Sequence, residues 1–473
     1  MSKPTFPTSK YTRYIFGALI LALPIAFVAS RQPFYALAAL AFIALYIIFL
    51  RKPEFGVLLV IFLLPFERIG SINRGGVTIR PSQVVGVALL AAWVTRLAWD
   101  GAKHWRPNPL VWPMLAYLVV LVMGLSHAAN PTRGIEVFLF TAFTIAAGLV
   151  IPQIITTEAG AQRAVRVLYI ITAIVAAFGL FQFLGDYAGL PPSITGLRDL
   201  YTKAILGFPR VQSTELEPLY FANYLLLPLS LLTANLFSGK RLHGFFGLPL
   251  LLLAGVAFVL TVARGGYIGF AASLVVIGLF SLRQIFRPGR ILAFGASAIV
   301  IALIALRLLG GGTDAMSTQK FTEHITNLFT GASYLERVAT FQKANDAYHS
   351  NPLVGIGPGQ FGPFASINPF YEPKDGWQIV NNLSLEVLAE SGILGAAALI
   401  LAFGILIIRS VRAIRVARSP ALRALLIGGL AAFIGILVQY QTFSILYIMH
   451  VWVCIGLLLA FQNVALAPTK EYA

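Results

Sequence analysis

Residues 392–408 read GILGAAALILAFGILII, and residues 409–423, which follow directly, read RSVRAIRVARSPALR. The first segment carries no charge and has roughly the length of a helix that crosses a bilayer. The second segment holds five arginines, Arg409, Arg412, Arg415, Arg418 and Arg423. An apolar helix followed by a cluster of positive charge is typical of a membrane span that ends on the cytoplasmic side.

The same alternation of apolar helix and connection recurs along the chain. We predict an all-α fold of about fourteen spans in one integral-membrane domain, residues 1–473, with an extension of the third span through Glu67 to Ile72 left open. The first outer loop is placed at residues 185–217, and a long outer loop with amphipathic helices at 309–391. The predicted spans are 14–30, 33–50, 54–66, 82–98, 109–128, 134–155, 162–183, 218–237, 243–262, 265–283, 290–308, 392–409, 422–438 and 441–462.

The charges divide unequally between the two faces. If residue 1 is cytoplasmic, 21 of the 35 Lys and Arg residues and only four of the 18 acidic residues fall on inner segments. The whole net charge of +17 then lies on the inner face, which predicts cytoplasmic termini and loops 185–217 and 309–391 outside. The positive charge is therefore an orientation signal, and we do not interpret it as a nucleic-acid-binding surface.

Composition agrees with a membrane protein. Hydrophobic residues make up 58% of the chain, charged residues 11%, and the mean hydropathy is +0.81. The single cysteine, Cys454, excludes a disulfide within the chain and a cysteine metal cluster. Because another span begins soon after residues 14–30, we interpret that first span as uncleaved rather than as a signal peptide.

Few ionisable side chains fall inside the predicted spans. His450 lies near the middle of one, where a neutral, hydrogen-bonded core histidine is the favoured interpretation. An ion-coupled transporter needs carboxylates or lysines near the bilayer midplane, so this pattern argues against transport, although a lipid flippase with a polar groove stays open.

Residues 210–223, RVQSTELEPLYFAN, lead directly into a predicted span on the outer side. Arg210, Glu215 and Glu217 just ahead of a helix N-terminus suit an anion- and hydroxyl-binding site. An ordinary solvated loop with a Glu-Pro helix start is the alternative.

Residues 261–267, TVARGGY, form a predicted hairpin between two spans. Arg264 would lie at the outer interface, at the level of lipid phosphates. The alternative is an arginine that only reaches from a glycine turn to the membrane surface.

The long outer loop holds two further motifs. Ser333 to Arg337 opens a predicted helix that ends before Asn351, and residues 353–362, LVGIGPGQFG, follow it. The formal match to a dinucleotide-binding motif at residues 357–362 is discounted, because no strand precedes it, no helix is expected to open on it, and nucleotides are not expected outside the membrane.

Residues 380–395, VNNLSLEVLAESGILG, enter the span quoted above. At helical spacing, Asn382, Glu386 and Glu390 form one stripe. Two carboxylates one turn apart at a membrane helix need cations or protons nearby.

Taken in order, these motifs resemble those of the bacterial O-antigen ligase and polymerase family, over roughly residues 210–395. Members are polytopic glycosyltransferases of the C-type superfamily in the bacterial inner membrane. The resemblance implies transfer of a glycan from an undecaprenyl-diphosphate-linked donor to a glycan or lipid-linked glycan acceptor, with the active site facing the periplasm or exterior, and with neither metal nor cofactor. It also implies membrane lipids, a flippase and a chain-length regulator as partners.

The resemblance assigns roles to individual residues. Arg210 and Arg264 are expected to stabilise the departing lipid diphosphate as part of the catalytic site, because arginine keeps its charge and binds phosphate bidentately. The expected substrate-binding residues are Arg337, Asn382, Glu215, Glu386, Gly355, Gly357 and Gly359.

The chain departs from the ligases at one position. They place a histidine immediately before the Asn of the last motif, where this chain has Asn381, which cannot accept a proton at neutral pH. Asn381 is therefore expected to position substrate, and the preferred candidates for the general base are Glu217 and Glu390. Glu215, Glu386, His324 and His349 stay open, as does a reaction without a base.

This departure favours a polymerase that joins repeat units of a surface polysaccharide. A ligase that transfers O-antigen to lipid A-core is the alternative, and a lipid-linked glycan transporter or a non-enzymatic assembly partner is the third class.

Overall fold

The computed structural model describes residues 33–69, 71–74, 77–101, 105–238, 247–285, 332–373 and 376–467, with a few single residues and short pieces between 292 and 303. Within this part of the chain the fold is helical apart from one hairpin, in which β1 (Ile72–Arg74) pairs antiparallel with β2 (Val77–Ile79). The predicted all-α class is therefore confirmed as the dominant architecture.

Thirteen of the described helices have eleven residues or more. They are α1 (Pro33–Arg51), α2 (Pro53–Leu63), α3 (Pro81–Asp100), α4 (Val111–Gly124), α5 (Pro131–Ile154), α6 (Glu158–Tyr187), α9 (Pro218–Ser238), α10 (Gly247–Leu260), α11 (Arg264–Ile285), α12 (Ala332–Ser350), α14 (Leu383–Val416), α15 (Pro420–Gln439) and α16 (Met449–Leu466). Three short helices lie in loops, namely α7 (Pro192–Thr195), α8 (Lys203–Leu206) and α13 (Phe361–Ala365).

Eight of the described helices are long and apolar enough to cross a membrane: α3, α5, α6, α9, α11, α14, α15 and α16. Four shorter apolar helices, α1, α2, α4 and α10, lie where spans were also predicted. Predicted span 14–30 lies outside the described residues, and so does most of span 290–308. The count of fourteen stays a prediction.

The structure answers one boundary that the sequence left open and corrects one predicted boundary. The third span does not extend through Glu67 to Ile72, because α2 ends at Leu63 and the amides of Arg68 and Ile69 donate to the carbonyl of Thr214. The last span begins at Met449 rather than at residue 441. The polar residues ahead of it form a loop instead, in which the amide of Thr442 donates to the carbonyl of Gln439.

Helices α9, α15 and α16 form the most buried part of the bundle. Glycine permits close backbone approach there, since a Cβ on Gly269 of α11 would lie 2.6 Å from the carbonyl oxygen of Gly435 on α15. A Cβ on Gly456 of α16 would lie 2.3 Å from the carbonyl oxygen of Gly148 on α5. Small residues at helix crossings are how membrane bundles pack, because lipid supplies no hydrophobic force between helices.

The connections gather at two opposite ends of the bundle. At the basic end, Arg163 binds Glu54 through a bidentate ion pair, and Ser419 donates to Glu158. At the other end, which we call the loop end, the described residues within the ranges 64–80, 125–130, 188–217, 261–263, 351–382 and 440–448 contact one another. Every described residue of the predicted outer motifs lies at the loop end or on a helix that begins or ends there.

Candidate functional site

Arg210 is held against the turn between α10 and α11. Its Nε donates to the carbonyl of Thr261 at 3.2 Å and its Nη2 donates to the carbonyl of Val262 at 3.1 Å. Val262 has a φ of 49°, an unusual conformation for a β-branched residue, and it turns these carbonyls toward the guanidinium. Burial lowers the pKa of Arg210, and the neighbouring charge of Arg264 acts in the same direction. The two hydrogen bonds thus fix the guanidinium of Arg210, and the residue is half-buried.

Arg264 is the first residue of α11 and is half-buried. The helix comes very close to the loop of residues 440–448, which we call the connecting loop, because a Cβ on Gly265 would overlap the Thr442 hydroxyl. Arg337, exposed on α12, is near enough for its charge to act on Arg264. Arg210, Arg264 and Arg337, the arginine group, therefore form one region of positive potential although they belong to three separate motifs.

Glu217 lies beside the arginine group and faces solvent. Its side chain is 45% exposed, lies 3.8 Å from Arg198 and accepts a hydrogen bond from Tyr201. The ring of Tyr201 also lies under the guanidinium of Arg210, with 5.8 Å from the guanidinium carbon to the ring centre. Burial, with the nearby Glu217 charge, raises the pKa of Tyr201 to about 12, so its hydroxyl stays protonated and donates. Glu217 is an accessible carboxylate in a cationic and aromatic setting.

Glu215, two residues earlier, points into the protein instead. Its side chain is fully buried, and neither carboxylate oxygen has a hydrogen-bond partner. Burial raises the pKa of Glu215 well above its ordinary value, and the nearby carboxyl of Glu67 raises it further. Glu67 is paired with Arg80 at 3.3 Å. The two predicted carboxylates of this motif therefore have different environments, and only Glu217 reaches the surface of the loop end.

Glu390 binds backbone rather than arginine. Its Oε2 accepts the amide of Gly359 at 2.8 Å and its Oε1 accepts the amide of Phe361 at 3.0 Å. The main-chain carbonyl of the same residue accepts the amide of Gly357 at 3.0 Å. Both carboxylate oxygens of Glu390 are thus engaged by residues 353–362, the glycine loop.

The glycines of this loop are required by contact and by conformation. Gly355, Gly357 and Gly359 all have positive φ, and a Cβ on Gly355 would lie 2.3 Å from the backbone of Glu390. Gly392, whose φ of 60° kinks α14, lets the loop approach, and the next amide, of Ile393, donates to the carbonyl of Pro352. The three glycines predicted to bind substrate contact protein here, and they shape the loop.

Glu386 and the two asparagines form the third part of the site. The Oε2 of Glu386 accepts the amide of Val380 at 3.1 Å and the hydroxyl of Ser444 in the connecting loop. The amide of Asn381 donates to that same hydroxyl at 3.0 Å. Asn382 is the N-cap of α14, where its Oδ1 accepts the amide of Leu385 at 3.0 Å. The predicted stripe is therefore present, and these contacts orient the start of α14.

Sequence reasoning missed Arg133. This half-buried residue on the first turn of α5 donates to the carbonyl of Gly359 at 3.0 Å and lies 5.4 Å over the ring of Trp377. Its charge acts on Glu386 and Glu390, and so it supplies the cation that those carboxylates were expected to need. A lone arginine at an outer helix start was the only available signal, because nothing in the linear sequence places it near residue 390.

His450 and His349 lie in different settings. His450 is buried and its Nε2 binds Asn223, whose amide donates to Gln439 at 2.7 Å, which agrees with the predicted core role. His349 lies on α12 with its Nδ1 2.8 Å from the carbonyl of Asn345. His324 falls outside the described residues.

The connecting loop brings these parts together. Its Thr442 touches Gly265, next to Arg264, while its Ser444 binds Glu386 and Asn381. The arginine group and the start of α14 are therefore joined by a three-residue stretch. An anion held by the arginines would lie on the same face of the protein as Asn381 and Glu217.

Residues 249–400 match the family model described as O-antigen ligase. The match contains Arg264, Arg337, Asn381, the glycine loop and the α14 carboxylates, and it ends short of Arg210 and Glu217 on the N-terminal side. No curated protein sequence matches the chain. The family resemblance predicted from the motifs is thereby confirmed over residues 249–400, in a chain whose apolar helices are those of a multi-pass membrane protein.

Proposed function

With the family resemblance confirmed over residues 249–400, we propose that this protein transfers a glycan from an undecaprenyl-diphosphate-linked donor to a hydroxyl group of an acceptor glycan. The reaction takes place at the loop end, which faces the periplasm or exterior of a bacterial inner membrane. The asymmetry of charge supports this orientation, since the arginine-rich connections of residues 409–423 lie at the opposite end.

One observation carries the proposal: three arginines from separate motifs share a single region of the loop end. Departure of the lipid diphosphate leaves negative charge that must be stabilised, and guanidinium groups do this without losing their protons. Arg210 is held by the two carbonyls of residues 261 and 262, and its neighbour Arg264 starts the next helix. We assign Arg264, at the start of α11, and the exposed Arg337 to direct contact with the diphosphate, and Arg210, whose guanidinium donates to two carbonyls, to shaping the site.

We assign the acceptor side to Glu217 and Asn381. Glu217 is exposed and lies beside the arginine group, so it can accept a proton from a sugar hydroxyl. Glu390, the other carboxylate preferred from sequence, already accepts two amides of the glycine loop. Its role in this proposal is to fix that loop, and Asn382 and Glu386 fix the start of α14.

The ligase and polymerase activities differ in the acceptor that receives the glycan. The matched family is described as O-antigen ligase, which favours transfer of finished polymer to lipid A-core over the polymerase activity predicted from sequence. Asn381 in place of the ligase histidine is the one observation that favours the polymerase. We therefore propose the ligase activity first and keep polymerisation as the second candidate.

A deletion strain tests both, complemented with wild-type protein or with Glu217→Gln. Loss of a ligase leaves polymer that is not attached to lipid A-core, whereas loss of a polymerase leaves single repeat units attached. Glu217→Gln should reproduce the deletion phenotype at normal membrane abundance. An unchanged glycan profile in the deletion strain would refute both activities, and full complementation by Glu217→Gln would remove Glu217 from the mechanism.

A further inference from the structure

Asn381 has a backbone conformation that side chains rarely adopt. Its φ is 57°, in the left-handed region, which costs free energy for residues other than glycine, although asparagine tolerates it better than most. Such residues persist only where the surrounding contacts fix them, and they are enriched at functional sites. The contacts around Asn381 are therefore informative.

Two side chains fix this conformation from a distant part of the sequence. Ser444 accepts the amide of Asn381 at 3.0 Å and donates its own proton to Oε2 of Glu386. The same carboxylate oxygen accepts the amide of Val380 at 3.1 Å. The backbone amides of the consecutive residues Val380 and Asn381 are thus both bound by one Ser-Glu pair.

The residues that follow are fixed by the same loop. The amide of Leu383 donates to the carbonyl of Tyr440 at 2.8 Å, and the side-chain amide of Asn382 donates to the carbonyl of Gln441 at 3.2 Å. The backbone around Asn381 is therefore over-determined, while its half-buried side chain takes part in none of these bonds.

We propose that Ser444 and Glu386 are positioning residues that hold Asn381 in the left-handed conformation and so present its side-chain amide to the acceptor hydroxyl. This inference rests on the proposed function. Thr442, two residues before Ser444, contacts the helix start that carries Arg264. One short loop thereby sets the position of the acceptor-side asparagine relative to the donor-side arginine.

The test compares single variants in purified protein in lipid nanodiscs, with a lipid-diphosphate-linked glycan donor and a glycan acceptor. Ser444→Ala should lower kcat roughly five- to tenfold, the effect of one lost hydrogen bond, with the KM for the donor unchanged. Ser444→Thr retains the hydroxyl and should restore kcat. Ser384→Ala is the matched control, because Ser384 also bonds the connecting loop, at Gln441, without contacting Asn381.

A substitution at Asn381 tests the proposal through the pH dependence of activity, which would not change if Ser444 and Glu386 only stabilised the fold. Asn381→His should add a pH limb near the ordinary histidine pKa of about 6.5, with activity falling as the imidazole becomes protonated. Combining it with Ser444→Ala should abolish that limb. Asn381→Gly, which adopts positive φ readily, should fold normally and lose activity.

Several results would overturn the inference: full kcat in Ser444→Ala, full activity in Asn381→Gly, or a histidine limb unaffected by Ser444→Ala. If Ser444→Ala does not fold, Ser444→Thr and Asn381→Gly decide alone. Failure of the proposed function is distinguishable, because the wild-type protein would then transfer no glycan from any lipid-diphosphate donor.

Discussion

Glu390→Gln separates a structural from a catalytic carboxylate. Glutamine keeps one acceptor oxygen and replaces the other with an NH₂ group, which faces an amide of Gly359 or Phe361 that now lacks an acceptor. A hydrogen bond to a charged group contributes about 1.5–3 kcal/mol, so the glycine loop should open roughly ten- to hundred-fold more often. We expect the loss of activity to come from this opening.

Hydrogen exchange by mass spectrometry measures the opening directly. Peptides that cover residues 353–362 should lose protection by that factor in Glu390→Gln, while peptides from α15 should exchange as in the wild type. Activity should fall together with loop protection. If protection of the loop is unchanged while kcat falls a hundred-fold or more, the structural argument is refuted and Glu390 is the general base that the sequence suggested.

Three further outcomes are expected. Arg264→Ala should lower turnover roughly ten- to hundred-fold at normal membrane abundance, with little rescue by Arg264→Lys, whereas Arg166→Ala at the basic end should be neutral in the glycosyl-transfer assay. Glu215→Gln should flatten the pH dependence of thermal stability in detergent. Burial raises the pKa of Glu215 in the folded state, so the folded protein holds a proton that the unfolded chain loses above the ordinary glutamate pKa of 4.5, and wild-type stability falls with rising pH by up to about 1.4 kcal/mol per pH unit. An equal slope in both proteins would contradict this. In a chain whose native cysteine has been replaced, a cysteine at Ile367 should react with a membrane-impermeant thiol reagent in intact cells and one at Arg412 only after permeabilisation, and the reverse pattern would invert the topology.

Much of the site could be predicted from the sequence because each of its motifs is a short contiguous segment. The stripe of Asn382, Glu386 and Glu390 and the apolar run behind it predicted a helix in this region, and the structure begins that helix at Leu383 and kinks it at Gly392. Residue type and position singled out Arg210 and Arg264, whereas the roles of Arg337 and of the loop glycines came from the family resemblance. These patterns do not show which side chains contact one another in the folded protein.

The linear sequence does not show how differently the fold treats these carboxylates. Glu215 and Glu217 are two residues apart, yet one is fully buried and the other is 45% exposed. Glu390 was expected to meet a cation, and it binds the glycine loop with Arg133 alongside. The neighbours of these groups lie in other helices and loops, so no periodic pattern in the sequence shows them.

The amino-acid sequence by itself determined that the chain crosses a membrane, which face is basic, and which residue types the outer motifs contain, because hydropathy and charge act on each segment independently. Only the tertiary structure decided that Ser444 reaches Asn381 across 63 positions, that Arg133 reaches the glycine loop, and that three arginines share one region. These contacts depend on close approach of helices at small residues and on loops that meet at one end of the bundle. Such geometry is a property of the packed whole, and it exists only once the helices have assembled.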